Sequence, residues 1–404
     1  MRPFQGRRVL LGITGGIASY KAAWLARLLQ QAGAEVDVVM TRSATEFVGA
    51  VTLEALTGRP VHTALIAPGH ALDHIRLARA ADAVVVAPCT ADFLARAAGG
   101  HADDLLSACL LATPAPVLLV PAMNDRMWAH PQVRANADHA RAIGYHVLSP
   151  DDGPLAVGEG SGPGRMPEPE TILAHVGRLL DRDASLAGRR VVVTAGPTRE
   201  ALDPVRYLTN HSSGRMGVEL AAAAWRRGAD VTLVHGPLQV PVPAGVRAVA
   251  IESTAELRDA VAAALPDADA LVMAAAPADF RPAQVATQKI KRGDGALSIA
   301  LTANDDILAG TRDLRRPGAV VVGFALETTD LEANARKKLA SKGLDLIVLN
   351  DATEPGAGFG VETNRVTFLT PDGAVAPLAL LPKRDVADAI LDRVGTLLAA
   401  RRAR

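Results

Sequence analysis

The stretch Val9-Leu10-Leu11-Gly12-Ile13-Thr14-Gly15-Gly16-Ile17-Ala18 reads as a strand, a glycine turn and the start of a helix. An apolar run without alternation suits a parallel strand covered on both faces. Bare backbone N–H groups and the dipole of the following helix make such a turn a phosphate site, although a tight structural turn would carry the same residues. The full G-x-G-x-x-G spacing is missing, which disfavours an NAD-linked oxidoreductase and favours a mononucleotide.

Residues 8–13, 35–40, 83–87 and 117–120 read as strands, and 15–32 and 103–111 carry helical stretches. Residues 151–169 are rich in Gly, Pro, Asp and Glu and predict an irregular loop. A helix is expected over 171–180 and a linker over 182–188. A second cycle then begins at Arg190, with strands expected at 191–194, 231–234, 270–274, 320–324 and 346–349 and a helix at 218–227. Residues 366–369 and 375–378 suggest a hairpin through 371–373, and 385–401 a closing amphipathic helix. The expectation is α/β: two Rossmann-like or flavodoxin-like domains, 1–185 and 186–404, with mainly parallel sheets and a terminal β-hairpin in the second.

Of 404 residues, 49% are hydrophobic and 21% charged, enough apolar matter for two cores. The formal net charge is zero and aromatics are only 3%, which argues against nucleic acid and leaves small anions as partners. Two cysteines, Cys89 and Cys109, exclude a disulfide framework and suit a reducing cytoplasm. Residues 1–8 lead into a strand rather than a cleavable apolar core, and no run is long enough to span a membrane.

Three further segments narrow the first domain: Ala87-Pro88-Cys89-Thr90-Ala91, Pro121-Ala122-Met123-Asn124-Asp125-Arg126-Met127-Trp128 and Gly162-Pro163-Gly164-Arg165-Met166. With Asp73-His74-Ile75, they make residues 7–180 resemble the homo-oligomeric flavin-containing cysteine decarboxylases, the phosphopantothenoylcysteine decarboxylases in particular. The resemblance implies FMN, a trimer and a site between subunits. It assigns FMN contacts to Gly15, Gly16, Ile17, Thr41, Arg42, Ser43, Thr90, Ala91, Asp92, Phe93 and Ala122. It makes His74 the catalytic histidine and Asn124 the holder of the substrate carboxylate. An aliphatic carboxylate loses CO2 only if the electrons left behind can delocalise. In this family flavin first oxidises the cysteinyl carbon–sulfur unit, so the chemistry calls for a redox cofactor, a base and a carboxylate anchor.

One departure stands out. The family places a proton-donating cysteine just before its Gly-Arg-Met; here Leu155-Ala156-Val157-Gly158-Glu159-Gly160-Ser161-Gly162 carries Val157 at that point and one extra residue. Three readings stay open: Glu159 or Ser161 takes the role, Cys89 takes it, or the domain is a non-catalytic FMN-binding scaffold or regulatory module beside an active ligase. A carboxylic acid in an apolar site can keep its proton near neutrality, which puts Glu159 first. Cys89 and Cys109 also fit plain core packing.

In the second half, Thr194-Ala195-Gly196-Pro197-Thr198-Arg199-Glu200 follows a strand, and Asp203-Pro204-Val205-Arg206-Tyr207-Leu208-Thr209-Asn210-His211-Ser212-Ser213-Gly214-Arg215-Met216-Gly217 runs into a helix. Ala274-Ala275-Ala276-Pro277-Ala278-Asp279-Phe280-Arg281-Pro282, Lys289-Ile290-Lys291-Arg292, Asn304-Asp305-Asp306-Ile307-Leu308 and Val322-Gly323-Phe324-Ala325-Leu326-Glu327-Thr328 follow in order. Taken singly, the Lys289–Arg292 charges are a solvated run, and Lys338 with Lys342 is an ordinary i,i+4 face. Together, residues 186–400 resemble bacterial phosphopantothenate–cysteine ligases. That resemblance implies an acyl-cytidylate made from CTP with Mg2+, its metal ligands unknown, and attack on it by cysteine's amine. It gives Lys289 a role in forming the acyl-cytidylate and gives Asn210, Arg206 and Ala275 the intermediate. CTP contacts fall to Met273, Ala274, Ala275, Asp279, Lys289, Asp305, Asp306, Ile307, Leu308, Phe324, Lys338 and Lys342. The two halves together imply a bifunctional enzyme of coenzyme A biosynthesis, with trimers through the first domain, dimers through the second and a dodecamer as their combination.

Overall fold

The computed structural model describes residues 3–402 apart from 67, 182–183, 293–296, 328, 352–353, 355, 357 and 359. Thr328 therefore lies outside the described residues. The chain divides into two compact units, residues 1–182 and 183–404.

The first unit is built on six parallel strands in the order Val61–His62, Glu35–Met40, Arg8–Ile13, Ala83–Cys89, Val117–Pro121, His146–Val147. Alternate residues of one strand feed two cores. Val9, Leu11 and Ile13 pack with Leu25 and Leu29 of helix Ser19–Gln31 and Ile172 and Val176 of helix Pro169–Leu180. Leu10 points the other way, toward Leu94, Leu106 and Cys109. Each fully buried leucine contributes about 1.5–3 kcal/mol of transfer free energy. Burial on both faces is why these strands lack alternation. The two-residue strands Val61–His62 and His146–Val147 are too short to show any period.

Residues 151–169 correct the loop expectation. Asp151–Pro154 and Ser161–Arg165 form an antiparallel hairpin closed by Leu155 N–H to Gly160 O at 2.9 Å. Glycine and proline supply no strand propensity; the hairpin is held from outside. Met123 N–H donates to Gly164 O at 3.0 Å, and a Cβ on Gly164 would stand 2.2 Å from Met123 O. Lys21 Nζ donates to Met166 O at 3.1 Å and pairs with Glu168 at 3.0 Å.

The second unit repeats the plan. Its sheet runs Arg247–Ala250, Asp230–His235, Arg190–Ala195, Ala270–Met273, Val320–Glu327, Leu346–Asp351, all parallel, then Thr367–Leu369 and Val375–Pro377 antiparallel. The last two strands are the expected terminal hairpin. The polar stretch before helix Arg215–Arg226 is not all loop: Arg199–Ala201 pairs with Tyr207–Thr209. The closing helix is Lys383–Arg402, two residues earlier at its start than the apolar period suggested. Among the described residues, no helix is long and apolar enough to cross a membrane.

Candidate active sites

In each sheet the strand order reverses beside the first strand, between Arg8–Ile13 and Ala83–Cys89 and between Arg190–Ala195 and Ala270–Met273. Ligands of open α/β sheets bind at such switch points, beyond the carboxyl ends of the strands. A cleft lies at each.

The first cleft, about 390 Å³, is lined by Gly15, Gly16, Ile17 and Ala18, by Thr90 and Ala91, by Ala122, Met123 and Asn124, and by Glu159 and Arg165 of the hairpin. Thr14 fixes the turn: its Oγ1 donates to Pro88 O at 2.8 Å and accepts from Thr90 N–H at 3.0 Å. A Cβ on Gly15 would meet Ser43 Cβ at 2.3 Å, so only glycine lets residues 41–43 approach. Among the described residues, the backbone N–H groups of Gly15, Gly16, Ile17 and Ala18 meet no acceptor. Such donors at the start of a 13-residue helix fit a phosphate, so the cleft suits a phosphorylated mononucleotide such as FMN. We expect Gly15→Ala to lose bound flavin, read as loss of visible flavin absorbance in the purified protein.

Not every expected residue lies in this cleft. Thr41, Arg42 and Ser43 sit behind the glycine turn, with Thr41 N–H on Ile13 O at 3.0 Å. Asp92 is exposed and pairs with Arg96 at 3.1 Å. The Phe93 side chain is core, and its N–H donates to Thr90 Oγ1 at 3.3 Å. Asn124 Oδ1 accepts from Arg126 N–H at 2.9 Å. His74 is elsewhere: it lines a separate hollow with Leu65, Ile66, Ala71, Ala108 and Leu111, and its Nδ1 is buried without a hydrogen-bond partner among the described residues. Asp73, next to it, is held by Arg76 at 3.1 Å and His70 at 2.8 Å.

Cys89 is fully buried in the core behind the cleft, and burial pushes its thiol far above the ordinary value. Cys109 is likewise pushed up to about 12 by burial, then by Asp104 and Asp73. Val157 is completely exposed at the hairpin tip, and Glu159 is exposed but lines the cleft. Ser161 does not line it.

The second cleft, about 300 Å³, collects Asn210 and Ser212 to Gly217, Ala274 to Ala276, Asp279, Phe324, Asn350, Asn364 and Lys383. Gly214, at φ +77°, turns the chain into helix Arg215–Arg226. Ser212 Oγ accepts from Gly214 N–H at 3.3 Å, while Met216 and Gly217 N–H meet no acceptor among the described residues. Asn210 Nδ2 bridges Ala276 O and Pro277 O at 3.1 and 3.0 Å, clamping the loop after Ala270–Met273.

Other expected residues do not line this cleft. Arg206 Nη2 donates to Ile290 O at 3.1 Å, and Ile290 N–H donates to Asp203 Oδ2 at 3.1 Å, so Lys289 is tethered beside Arg206. Burial opposes ionisation of Asp203, but N–H groups of Val205, Ile290 and Arg206 outweigh it and hold the carboxyl below its usual range. Asp305 pairs with Arg258 at 2.7 Å and Asp306 with Lys342 at 3.0 Å. Ile307, Leu308 and Met273 are core, so their side chains stabilise the loops rather than meet solvent. Lys338 is half-buried on helix Leu331–Ser341.

Sequence reasoning missed Lys21, Lys383 and Asn364. No local pattern marks them, because each reaches its site through a distant contact.

Two family models divide the chain: Flavoprotein matches residues 2–181, and the DNA/pantothenate metabolism flavoprotein C-terminal domain matches 186–397. A curated Mycobacterium tuberculosis protein named coenzyme A biosynthesis bifunctional protein CoaBC is 48% identical over 408 residues, covering 97% of each chain. The chain belongs to the CoaBC family. A Vibrio vulnificus CoaBC protein is 43% identical over 402 residues, covering 98% of this chain and all of its own. The solved C-terminal domain of a CoaBC protein aligns at a TM-score of 0.46, with 37% identity, over 54% of this chain and 99% of that one. The two family domains lie on one polypeptide, and each carries its own switch-point cleft.

Proposed function

We propose that this chain joins cysteine to 4'-phosphopantothenate in its second unit and decarboxylates the resulting 4'-phosphopantothenoylcysteine to 4'-phosphopantetheine in its first. The observation that carries the reading is the pair of switch-point clefts, each with backbone N–H groups at a glycine turn that are unpaired among the described residues, on a chain that matches a CoaBC protein over 97% of its length.

In the ligase half, a carboxylate oxygen attacks the α-phosphorus of CTP and pyrophosphate leaves. The amine of cysteine then forms the C–N bond while the acyl C–O bond breaks, its electron pair leaving with CMP and the surplus proton going to solvent. Met216 and Gly217 N–H offer donors to phosphate oxygens. Asp279 is the one carboxylate lining the cleft among the described residues. That fits Mg2+ held mostly by the triphosphate, since this ion keeps one or two protein carboxylates and binds substrate phosphates.

In the decarboxylase half, FMN, when bound, supplies the redox couple that lets the cysteinyl carboxylate depart as CO2. Asn124 has Oδ1 engaged by Arg126, which leaves Nδ2 for the substrate carboxylate. His74 acts as base from a second copy of the chain. Exposed Ile66, Leu72 and Leu111 around His74, at 87%, 71% and 53% exposure, support a covering neighbour. We infer from this a trimer through the first unit, while dimers through the second unit and a cytoplasmic location rest on the family resemblance alone. Light scattering that finds only monomers would overturn the assembly.

Val157 favours a second reading, an FMN-binding scaffold beside an active ligase. Two variants decide it, assayed with 4'-phosphopantothenoylcysteine. If Glu159 donates the final proton, Glu159→Gln still releases CO2 but accumulates oxidised product with bleached flavin absorbance, and Cys89→Ala behaves as wild type. A wild type that releases no CO2 leaves the ligase alone.

A further inference from the structure

Lys383 opens the helix Lys383–Arg402 and is only 4% exposed, yet it lines the ligase cleft. Its Nζ donates to Gly358 O at 2.9 Å, and no carboxylate pairs with it among the described residues. An ammonium has three donors and is costly to bury without a counter-charge. Burial, then nearby Arg215, lowers its proton affinity further. A hydrogen-bonded chain leads from it across one wall. Gly358 N–H donates to Asn364 Oδ1 at 3.3 Å, and Asn350 Nδ2 donates to the same oxygen at 3.2 Å. Asn350 Oδ1, itself buried, has no partner among the described residues. This wall therefore offers a cation short of acceptors and a carbonyl oxygen short of a donor.

A phosphate dianion would satisfy the cation and be repelled by the carbonyl. An α-amino acid satisfies both, its carboxylate accepting and its amine donating. We propose that Lys383 and Asn350 form the subsite for the amino-acid co-substrate, with Lys383 taking the carboxylate of cysteine and Asn350 Oδ1 taking an amine hydrogen. Held so, the amine keeps its lone pair for the activated acyl group. The inference rests on the ligase reading and adds what neither sequence motif assigned.

Its test is steady-state ligation by the full chain, with cysteine, CTP and 4'-phosphopantothenate varied in turn, and cysteamine as an amine lacking the carboxylate. A charged hydrogen bond lost from binding is worth on the order of 10–100-fold. Lys383→Met should raise the KM for cysteine by that factor, leave the KM for CTP and for 4'-phosphopantothenate unchanged, and erase the preference for cysteine over cysteamine. Lys383→Arg should restore part of that preference. A rise for a phosphate-bearing substrate instead, or no change in the cysteine KM, overturns the proposal. If Lys383→Met fails to fold, Asn350→Leu decides: a raised KM for both amines with unchanged CTP supports the subsite, and an unchanged one overturns it. A wild type that releases no pyrophosphate from CTP defeats the ligase reading itself, which keeps the two failures apart.

Discussion

Lys289→Gln is expected to lower the ligation rate by on the order of 10²–10³ while flavin stays bound, the usual loss when one preorganised electrostatic contact is removed. Glutamine keeps reach and polarity but loses the charge that would meet the CTP phosphates. The side chain is exposed, so the substitution leaves the core intact. Its neighbour Ile290 is bound through both backbone groups, to Asp203 and Arg206, so the segment keeps its anchor in the variant. The effect should therefore fall on kcat of the CTP-dependent step. Flavin belongs to the other unit and serves as the internal control. Ligation at the wild-type rate, measured as pyrophosphate release, would reject the role.

A comparable loss is expected in the first unit from His74→Gln or Asn124→Leu, each lowering decarboxylation by about 10²–10⁴, the usual worth of a positioned acid–base group or its equivalent anchor. What distinguishes the proposal is complementation. His74 and Asn124 line different hollows of one chain. If the site forms between copies, co-expressing the two inactive variants regenerates interfaces that pair an intact His74 with an intact Asn124. Random assembly into cyclic trimers would return about a quarter of the wild-type sites. Activity of the co-expressed mixture no greater than that of either variant alone would place both residues in a single chain's site and discard the shared arrangement. The orphaned His74 Nδ1 gives the physical motive, because a buried polar atom without a partner is costly unless something else supplies one.

The apolar runs within Arg8–Ile13, Ala83–Cys89 and Val117–Pro121 were legible because burial on both sheet faces removes alternation. The glycine turns at Gly15 and Gly214 were legible because close approach and a left-handed backbone admit little else. The hairpin of residues 151–165 was not, since its strands consist of Gly, Pro, Ser and charged residues and are ordered by Met123 and Lys21 from other elements.

By itself the sequence determined two α/β units and their glycine turns, because strand periodicity and turn chemistry are local properties, and its motifs carried the resemblance to one enzyme family. Tertiary structure alone decided which candidates share a cleft. It separated His74 from Asn124, set Cys89 in the core, left Glu159 exposed, and brought Lys383 from the start of the last helix to the wall that holds Asn350. Those outcomes depend on which residues the crossovers bring to the carboxyl ends of each sheet, and no local pattern encodes a contact between positions so far apart in the chain.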